Sequence, residues 1–492
     1  MAAVTLTGID KRFGEAVALD GASLRLEPGR VHAIVGENGA GKSTLLRIAA
    51  GLLEPDRGVV SVLGGPLAPA TAREAIRRGL AMVHQHFMLV PSLTALENLA
   101  LGEATGFVLR LGPLRARAEE LGRALGMELP LDARVASLSV GERQRLELLR
   151  VLLRKPRVLI LDEPTAVLAP REAEALLTRV SRLAHDDGVA VAVVTHHLDE
   201  VTRFADEVTV LRRGKVVAHH AADDPAVHDV RALAREALGE EPPTVHREAE
   251  PQDRARLVLR GFTVEAPEGS GAALSALDLT VRAGEIVGIA GVEGNGQVPL
   301  ELGLVGVLAS HGACALDGAA LRGDVFARRR AGLAWIPSDR HAHALPADIP
   351  AEDALVLGAM PTVRGAVDDA AVRARFVAAA RALDVRPADP TLATQSFSGG
   401  NQQKLVVARE LAKTPGLLVA AQPTRGVDLL VAARIRQRIV DAAADGAAVI
   451  LISADLEELA TVADRLLVLR RGRAIEVRSD AGRDVIGEAM LG

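Results

Sequence analysis

An internal repeat constrains the fold of this chain more than any other feature of the sequence. The segment Leu24–Thr44, LRLEPGRVHAIVGENGAGKST, has an echo in Leu279–Pro299, LTVRAGEIVGIAGVEGNGQVP. Both run from a polar-apolar alternation through a turn into an apolar run and then a glycine-rich loop, which is typical of strand, turn, buried strand and phosphate-binding loop. Because the correspondence persists through Ser139 and Ser398 to Asp162 and Ala421, it indicates duplication of a whole domain.

The duplication predicts two domains of similar size. At 492 residues the chain is too long for one ordinary hydrophobic core. The segment Glu240–Arg256 is rich in proline and charge, so we interpret 240–256 as a linker between a first domain at 1–239 and a second at 257–492. In each domain apolar runs alternate with Ala/Leu/Arg segments of helical period, which predicts the α/β class with a mainly parallel sheet.

Composition narrows the possible partners. A net charge of -5 gives no global field for a polyanion, and 2% aromatic residues leave few stacking platforms, so nucleic acid is not indicated. The single cysteine, Cys314, cannot form an internal disulfide and suits a reducing cytoplasm. Without a long uncharged apolar stretch, we expect that the chain does not span a membrane by itself.

The first copy carries a complete phosphate-binding motif. Its glycine-rich loop fits GxxxxGK[ST] between an apolar strand and a helical segment, as the motif requires. Backbone amides of such a loop surround phosphate, Lys42 adds positive charge at the β- and γ-phosphates, and the Ser43 hydroxyl can bind Mg²⁺. We therefore predict an ATP-binding loop made of nine consecutive residues, Gly36, Glu37, Asn38, Gly39, Ala40, Gly41, Lys42, Ser43 and Thr44.

Two acids follow a second apolar run in the first copy. Asp162 and Glu163 come directly after Val158–Leu161. Burial of two carboxylates at a strand end is unfavourable unless a cation compensates for it. We predict that Asp162 holds Mg²⁺, directly or through water, and that Glu163 polarises the attacking water. The alternative is that the two acids cap the next helix.

The segment Leu138–Gln144, LSVGERQ, resembles the signature of ATP-binding cassette (ABC) proteins. In that family, the signature of one cassette completes the nucleotide site of the opposite cassette. The resemblance implies that each domain adds two parts to its parallel sheet: an antiparallel β subdomain and a helical subdomain that carries the signature.

Three residues of the first copy acquire roles only through this resemblance. Gln85, in VHQHF, would lie in the loop that senses Mg²⁺ and contacts the permease. His196 would be the switch that contacts the γ-phosphate, with the neighbouring His197 as its competitor. Phe13 stands where the family stacks an aromatic ring on adenine, and a core phenylalanine is the alternative.

The second copy lacks the groups that hydrolyse ATP. Gln297 and Val298 replace the lysine and the serine of the loop. Ala421 and Gln422 replace the two acids, and Ala454 replaces the switch histidine. Since removal of one positioned catalytic group costs about two powers of ten in rate, we expect little turnover at this site.

The second copy nevertheless keeps a well-formed signature, SGGNQ, and an aspartate downstream of it. Both elements act across the dimer interface in the family. The resemblance therefore assigns to the ATP of the first copy the residues Ser398, Gly399, Gly400, Gln402 and Asp428. One site would be assembled from intact parts and the other from altered ones.

Tandem cassettes with these motifs resemble the ATP-binding subunits of bacterial ribose, galactose and nucleoside importers. The resemblance implies ATP and Mg²⁺ as cofactors and a peripheral position on the cytoplasmic face of the cell membrane. It also implies two transmembrane permease subunits as partners, contacted near Gln85 and Ser338, and indirectly an extracellular substrate-binding lipoprotein. The cargo, a nucleoside or a pentose or hexose, stays open at this point.

Two other functions are compatible with part of the sequence. One is a soluble tandem-cassette ATPase that acts on ribosomes or DNA, although such proteins generally keep both sites complete. The other is a regulatory protein that binds ATP without transport.

Overall fold

The computed structural model describes residues 2–14, 16–84, 87–101, 111–165, 168, 170–195, 197–239, 244–247, 250–267, 271–292, 294–358, 368–427, 429–478, 486 and 489–490. The chain divides into two compact units, Met1–Pro242 (unit 1) and Pro243–Gly492 (unit 2). Each unit has its own apolar core.

The described strands of unit 1 are β1 Val4–Phe13, β2 Ala16–Leu26, β3 Val31–Val35, β4 Arg57–Val62, β5 Gly65–Pro66, β6 Leu80–Val83, β7 Val158–Asp162, β8 Ala190–Val194, β9 Glu207–Arg212 and β10 Lys215–His220. The described helices are α1 Lys42–Ala49, α2 Ala72–Arg77, α3 Ala95–Ala100, α4 Leu111–Leu125, α5 Val140–Leu152, α6 Pro170–His185, α7 Leu198–Phe204 and α8 Val230–Leu238. Short 3₁₀ helices cover Val135–Ser137 and Pro225–His228.

The strands of unit 1 form two sheets. A four-stranded antiparallel sheet has the order β2-β1-β4-β5, and a six-stranded sheet has the order β10-β9-β3-β8-β7-β6, in which only the β10–β9 pair is antiparallel. Every residue of β3, β7 and β8 is buried, in agreement with sequences that are apolar except at His32 and Asp162. Because the strands are parallel, the loop after β3 and the acid that ends β7 emerge at the same edge of the sheet.

A helical region lies beside the six-stranded sheet, where α5 contacts β6. Helices α3, α4 and α5 share an apolar cluster of their own. Ser139 caps the N-terminus of α5, where its hydroxyl and the Glu142 carboxylate form a reciprocal capping box. The signature of the first copy therefore begins a helix of this region.

The described strands of unit 2 are β11 Ala255–Val264, β12 Leu274–Arg282, β13 Ile286–Ala290, β14 Ser310–Leu316, β15 Ala319–Ala320, β16 Leu333–Ile336, β17 Leu417–Ala421, β18 Ala448–Ile452, β19 Arg465–Arg470 and β20 Arg473–Val477. Its described helices are α9 Gln297–Val305, α10 Val325–Arg330, α11 Arg340–His343, α12 Ala351–Ala354, α13 Asp369–Leu383, α14 Gly399–Glu410, α15 Leu429–Ala444 and α16 Leu456–Val462, with a 3₁₀ helix at Thr394–Ser396.

Unit 2 repeats the plan of unit 1. Its sheets have the orders β12-β11-β14-β15 and β16-β17-β18-β13-β19-β20. The predicted α/β class, with a mainly parallel sheet and an antiparallel sheet in each copy, is confirmed. Strand β11 begins at Ala255, within the segment 240–256 that we predicted as linker, because Ala255 already pairs with Arg282 of β12. Among the described residues, no helix has the length and apolar character needed to span a lipid bilayer.

Candidate functional site

At two positions of the loop between β3 and α1, the backbone conformation accommodates only glycine. Gly36 has a φ of 150°, and a Cβ atom there would lie 2.1 Å from the carbonyl oxygen of Leu211. Gly41, with a φ of 102°, would place a Cβ atom 2.5 Å from the carbonyl oxygen of Ala18. The motif glycines are therefore required by close backbone approach as well as by their torsion angles.

Lys42 holds its ammonium group inside this loop. The Nζ atom donates hydrogen bonds to the carbonyl oxygens of Gly36, at 2.7 Å, and Glu37, at 2.9 Å. Only 6% of Lys42 is exposed. The loop thus fixes a positive charge beside its own backbone, the arrangement that binds the phosphates of a nucleotide.

Ser43 and Asp162 meet at the edge of the sheet, as expected from the strand order. The Ser43 hydroxyl donates to Asp162 Oδ1 at 3.1 Å. Asp162 is 2% exposed; burial raises the pKa of its carboxyl group, and the hydrogen bond from Ser43 opposes that rise. Asp162 therefore does not cap the next helix, α6, which begins at Pro170.

Glu163 lies on a strained turn directly after β7. Its φ is 51°, in the left-handed region that costs a residue with a side chain about 1–3 kcal/mol. Its backbone N–H donates to the carbonyl oxygen of Val194 at 2.9 Å, which holds the turn against β8. Gln422 of unit 2 has the same backbone, with a φ of 48° and an N–H bond of 2.7 Å to Ile452. The two units thus present an acid and an amide from equivalent turns.

Three predicted site residues, Gln85, His196 and Asp428, lie outside the described residues, so their roles stay predictions. Phe13 is described, at the end of β1, and 52% of it is exposed. The alternative of a core phenylalanine is therefore wrong, and contact of Phe13 with adenine stays a prediction. The Lys11 ammonium lies 5.8 Å from the centre of the Phe13 ring.

A carboxylate that we did not predict connects the turns after β7 and β8. Glu200 Oε2 accepts hydrogen bonds from the hydroxyls of Thr165, at 2.9 Å, and Thr195, at 3.0 Å. Burial raises the pKa of Glu200, and nearby His197 opposes the rise. An acid is common in the first turn of a helix, because its negative charge interacts favourably with the helix dipole. The sequence around Glu200 therefore gave no indication of these two hydrogen bonds.

The loop of unit 2 keeps the shape of the motif without its charge. Gln297 Nε2 donates to the carbonyl oxygen of Val292 at 2.9 Å, and Gln297 Oε1 accepts from the N–H of Asn295 at 3.0 Å. Ala421, the last residue of β17, is fully buried and supplies no carboxylate. The ammonium group of Lys42 and the carboxylate of Asp162 thus have no counterparts at these two positions of unit 2.

The two signatures differ in charge at their helix N-termini. In unit 1, the Ser139 hydroxyl donates to the Glu142 carboxylate at 2.8 Å. In unit 2, Ser398 caps α14 and its hydroxyl accepts from the neutral amide of Asn401 at 2.9 Å. Because a carboxylate repels phosphate, α14 suits an anionic ligand better than α5 does.

The chain is similar to known proteins over nearly its whole length. The profile of the family described as ABC transporter matches residues 19–166 and 274–425. The glucose import ATP-binding protein of Haloferax volcanii is 39% identical over 99% of this chain and 95% of its own length. For the nucleoside import ATP-binding protein of Lactococcus lactis, the identity is 36% over 96% of this chain and 94% of the relative. A ribose import ATP-binding protein of Rubrobacter xylanophilus is 37% identical over 95% of this chain and 93% of its own length.

One of the similar solved structures covers both units of the chain. It is a chain from the crystal structure of the complex of archaeal ribosomal stalk protein aP1 and archaeal ribosome recycling factor aABCE1. The match covers 94% of the present chain and 87% of that chain, with a TM-score of 0.64. Its sequence identity of 21% shows a shared fold and nothing further.

Proposed function

This chain belongs to the ABC transporter family, and from that membership we propose that it is the ATP-hydrolysing subunit of an importer for a nucleoside or a simple sugar. The observation that carries the proposal is the meeting of Lys42, Ser43, Asp162 and Glu163 at one edge of the unit 1 sheet. Full-length relatives at 35–39% identity are named import proteins, which makes the ribosome- or DNA-directed alternative the weaker one.

We assign the steps of hydrolysis to unit 1. The loop amides and Lys42 hold the phosphates, and Glu163 orients and deprotonates the attacking water. The oxygens of Ser43 and Asp162 are the hard ligands that Mg²⁺ prefers, and nucleotide phosphates commonly supply the remaining ones. Bound Mg²⁺ would neutralise charge that develops on the phosphates.

Removal of magnesium should therefore stop hydrolysis. We expect EDTA to abolish phosphate release and added Mg²⁺ to restore it. Ser43→Ala removes one of the protein oxygens proposed to bind Mg²⁺ and should raise the Mg²⁺ concentration for half-maximal activity by about tenfold. Thr44→Ser, next to Ser43 in the same loop, is the control and should leave that concentration unchanged. A Mg²⁺ requirement identical in Ser43→Ala and the unaltered protein would contradict the assignment.

The remaining residues implied by the family complete the proposal. Gln85 would sense the Mg²⁺ and touch the permease, His196 would contact the γ-phosphate of the same ATP, and Phe13 would stack on its adenine. We further propose that the second signature and its aspartate take part in turnover of this ATP through Ser398, Gly399, Gly400, Gln402 and Asp428. The charge of the two signatures supports this choice, because Ser398 contacts the neutral amide of Asn401, whereas Ser139 contacts the carboxylate of Glu142, which would repel phosphate.

We propose two permease subunits as membrane partners, a substrate-binding lipoprotein as an indirect partner, and a peripheral position on the cytoplasmic face of the membrane. In unit 2 the loop after β16 is the expected permease contact. Glu301, on α9, is 1% exposed and accepts three hydrogen bonds from β16 and this loop. The donors are Trp335 Nε1 at 2.9 Å, the Ser338 N–H at 3.0 Å and the Ser338 hydroxyl at 2.6 Å. The loop is thus tied to the helix that follows the altered phosphate loop.

Loosening this connection should reduce transport more than hydrolysis. Ser338→Ala leaves one lobe of the buried Glu301 carboxylate without its donor, at a cost of about 1–3 kcal/mol. With the permease subunits in proteoliposomes, we expect substrate uptake per ATP hydrolysed to fall about fivefold. Ser338→Thr keeps the hydroxyl and is the matched control. Equal uptake per ATP in the Ala and Thr variants would exclude a coupling role for this contact.

A further inference from the structure

Two neighbouring turns of unit 1 carry the acid and the predicted switch residue of the site. Glu163 comes directly after β7, and Thr195 comes directly after β8, next to His196 in the sequence. Hydrolysis requires the acid to lie at a defined distance from the water and the γ-phosphate, and a misplacement of about 1 Å is costly in rate. The placement of one turn relative to the other therefore matters for the reaction.

The turn of Glu163 is fixed to the turn after β8 at two points. At the first point, the Glu163 N–H donates to the carbonyl oxygen of Val194 at 2.9 Å. At the second, the Thr165 hydroxyl donates to Glu200 Oε2 at 2.9 Å, and the same oxygen accepts the hydroxyl of Thr195 at 3.0 Å. The first point is a backbone contact, whereas the second depends on a single carboxylate oxygen.

Burial makes this carboxylate difficult to replace. Thr165 is 5% exposed and Thr195 is 3% exposed, so water has little access to either hydroxyl. The Thr195 hydroxyl oxygen also accepts the N–H of His197 at 3.0 Å, and the carbonyl oxygen of His197 accepts the N–H of Glu200 at 3.1 Å. Removal of the Glu200 carboxylate would therefore take the acceptor away from two buried donors at once.

Unit 2 holds the equivalent carboxylate in a different way. Glu458 lies in the first turn of α16; burial raises its pKa, and Arg436 and the hydroxyls of Ser453 and Thr424 oppose the rise. Arg436 Nε, on α15, lies 3.8 Å from the carboxylate. Helices α6 and α15 each have 16 residues, and the eighth residue is Arg436 in α15 but Leu177 in α6. A helix thus supplies a cation to the carboxylate of unit 2, and the corresponding position of unit 1 is apolar.

We propose that Glu200 is a positioning residue for ATP hydrolysis in unit 1. By accepting the hydroxyls of Thr165 and Thr195, it holds the turn of Glu163 against the turn after β8 and so fixes where the acid meets the attacking water. The proposal rests on the role given to Glu163 in the function proposed above. Because the contact leaves the phosphate loop untouched, its loss should lower kcat and leave the KM for ATP unchanged.

The test compares two variants of Glu200 in the full chain by steady-state phosphate release. Glu200→Ala removes the shared acceptor and should lower kcat at least about tenfold, with the KM for ATP within about twofold. Glu200→Gln keeps one carbonyl oxygen, which can accept both hydroxyls because both donate to the same atom, so kcat should stay within about threefold. Ser453→Ala removes the equivalent hydroxyl of unit 2 and is the matched control, with kcat unchanged.

A second pair of variants covers the case in which Glu200→Ala does not fold, as a thermal melt would report. Thr165→Val removes one of the two hydrogen bonds at nearly constant volume and should lower kcat about fivefold. Thr165→Ser keeps the hydroxyl and should restore kcat.

A double variant shows whether Glu200 acts through Glu163. In the Glu163→Gln background, Glu200→Ala should lower the residual turnover less than about twofold, because the turn no longer carries the acid. An unchanged kcat in Glu200→Ala, equal losses in Glu200→Ala and Glu200→Gln, or a full tenfold further loss in the double variant would each overturn the proposal. Near-normal turnover in Glu163→Gln alone would instead contradict the function proposed above, so the two failures are distinguishable.

Discussion

Replacing Glu163 with glutamine should lower steady-state ATP turnover at least about 100-fold, because the amide cannot take the proton of the attacking water. The substitution keeps the size of the side chain, and the turn that carries it already accepts glutamine at the equivalent position of unit 2. ATP binding should therefore change little. Phosphate release measures turnover, and titration with a fluorescent ATP analogue measures binding.

The twin unit provides the matched control for this variant. Gln422→Glu places the acid on the same strained turn, whose φ of 48° nearly equals the 51° of Glu163. Because Gln297 and Ala421 still supply neither cation nor metal ligand, the gained acid should alter turnover less than about twofold. Near-normal hydrolysis in Glu163→Gln, or a large gain in Gln422→Glu, would place the chemistry elsewhere.

The site elements that the sequence revealed are local ones. The phosphate loop is a run of consecutive residues whose glycines, lysine and serine each have one physical reason to be there, and Asp162 follows its strand directly. The strand order then brings Ser43 and Asp162 to within hydrogen-bonding distance, although 118 residues separate them in the chain. Parallel topology, predicted from the alternation of apolar runs, made that meeting foreseeable.

Contacts between distant and unremarkable residues could not be foreseen. Nothing in the sequence around Glu301 indicates that it accepts one hydrogen bond from Trp335 of β16 and two from Ser338 in the loop that follows. Arg247 belongs to a segment whose proline and charge content indicates a linker, yet its guanidinium bonds three groups of unit 2. In both cases the partner is fixed by tertiary packing, which a local pattern does not encode.

The duplication makes unit 2 a chemical control for unit 1. Gln297 shows that a neutral amide can replace lysine inside the loop, since its Nε2 atom bonds the Val292 carbonyl as Lys42 Nζ bonds that of Glu37. Loop shape is thus separable from loop charge. Phosphate binding should therefore depend on the charge of Lys42, whereas the shape of the loop should not.

Lys42→Gln should consequently abolish tight ATP binding without unfolding the protein. Loss of a buried, hydrogen-bonded charge pair costs about 2–5 kcal/mol, which corresponds to at least about 30-fold weaker binding. The glutamine can still bond the Glu37 carbonyl, as Gln297 bonds Val292, so the thermal unfolding midpoint without nucleotide should stay within about 2 °C of the original. Titration with a fluorescent ATP analogue and a thermal melt measure the two quantities.

The reverse substitution in unit 2 tests whether positive charge alone, without the other groups of the site, allows nucleotide binding and hydrolysis. Gln297→Lys restores the cation in unit 2, while Val298 and Ala421 continue to lack the oxygens that would hold magnesium. Nucleotide affinity of unit 2 should rise, measured in the Lys42→Gln background, and hydrolysis should stay below detection.

Unchanged ATP affinity in Lys42→Gln would mean that the loop of unit 1 does not hold the phosphates. Hydrolysis in the reversed variant would mean that Asp162 and Glu163 are dispensable, which the burial of Asp162 and the strained turn at Glu163 argue against.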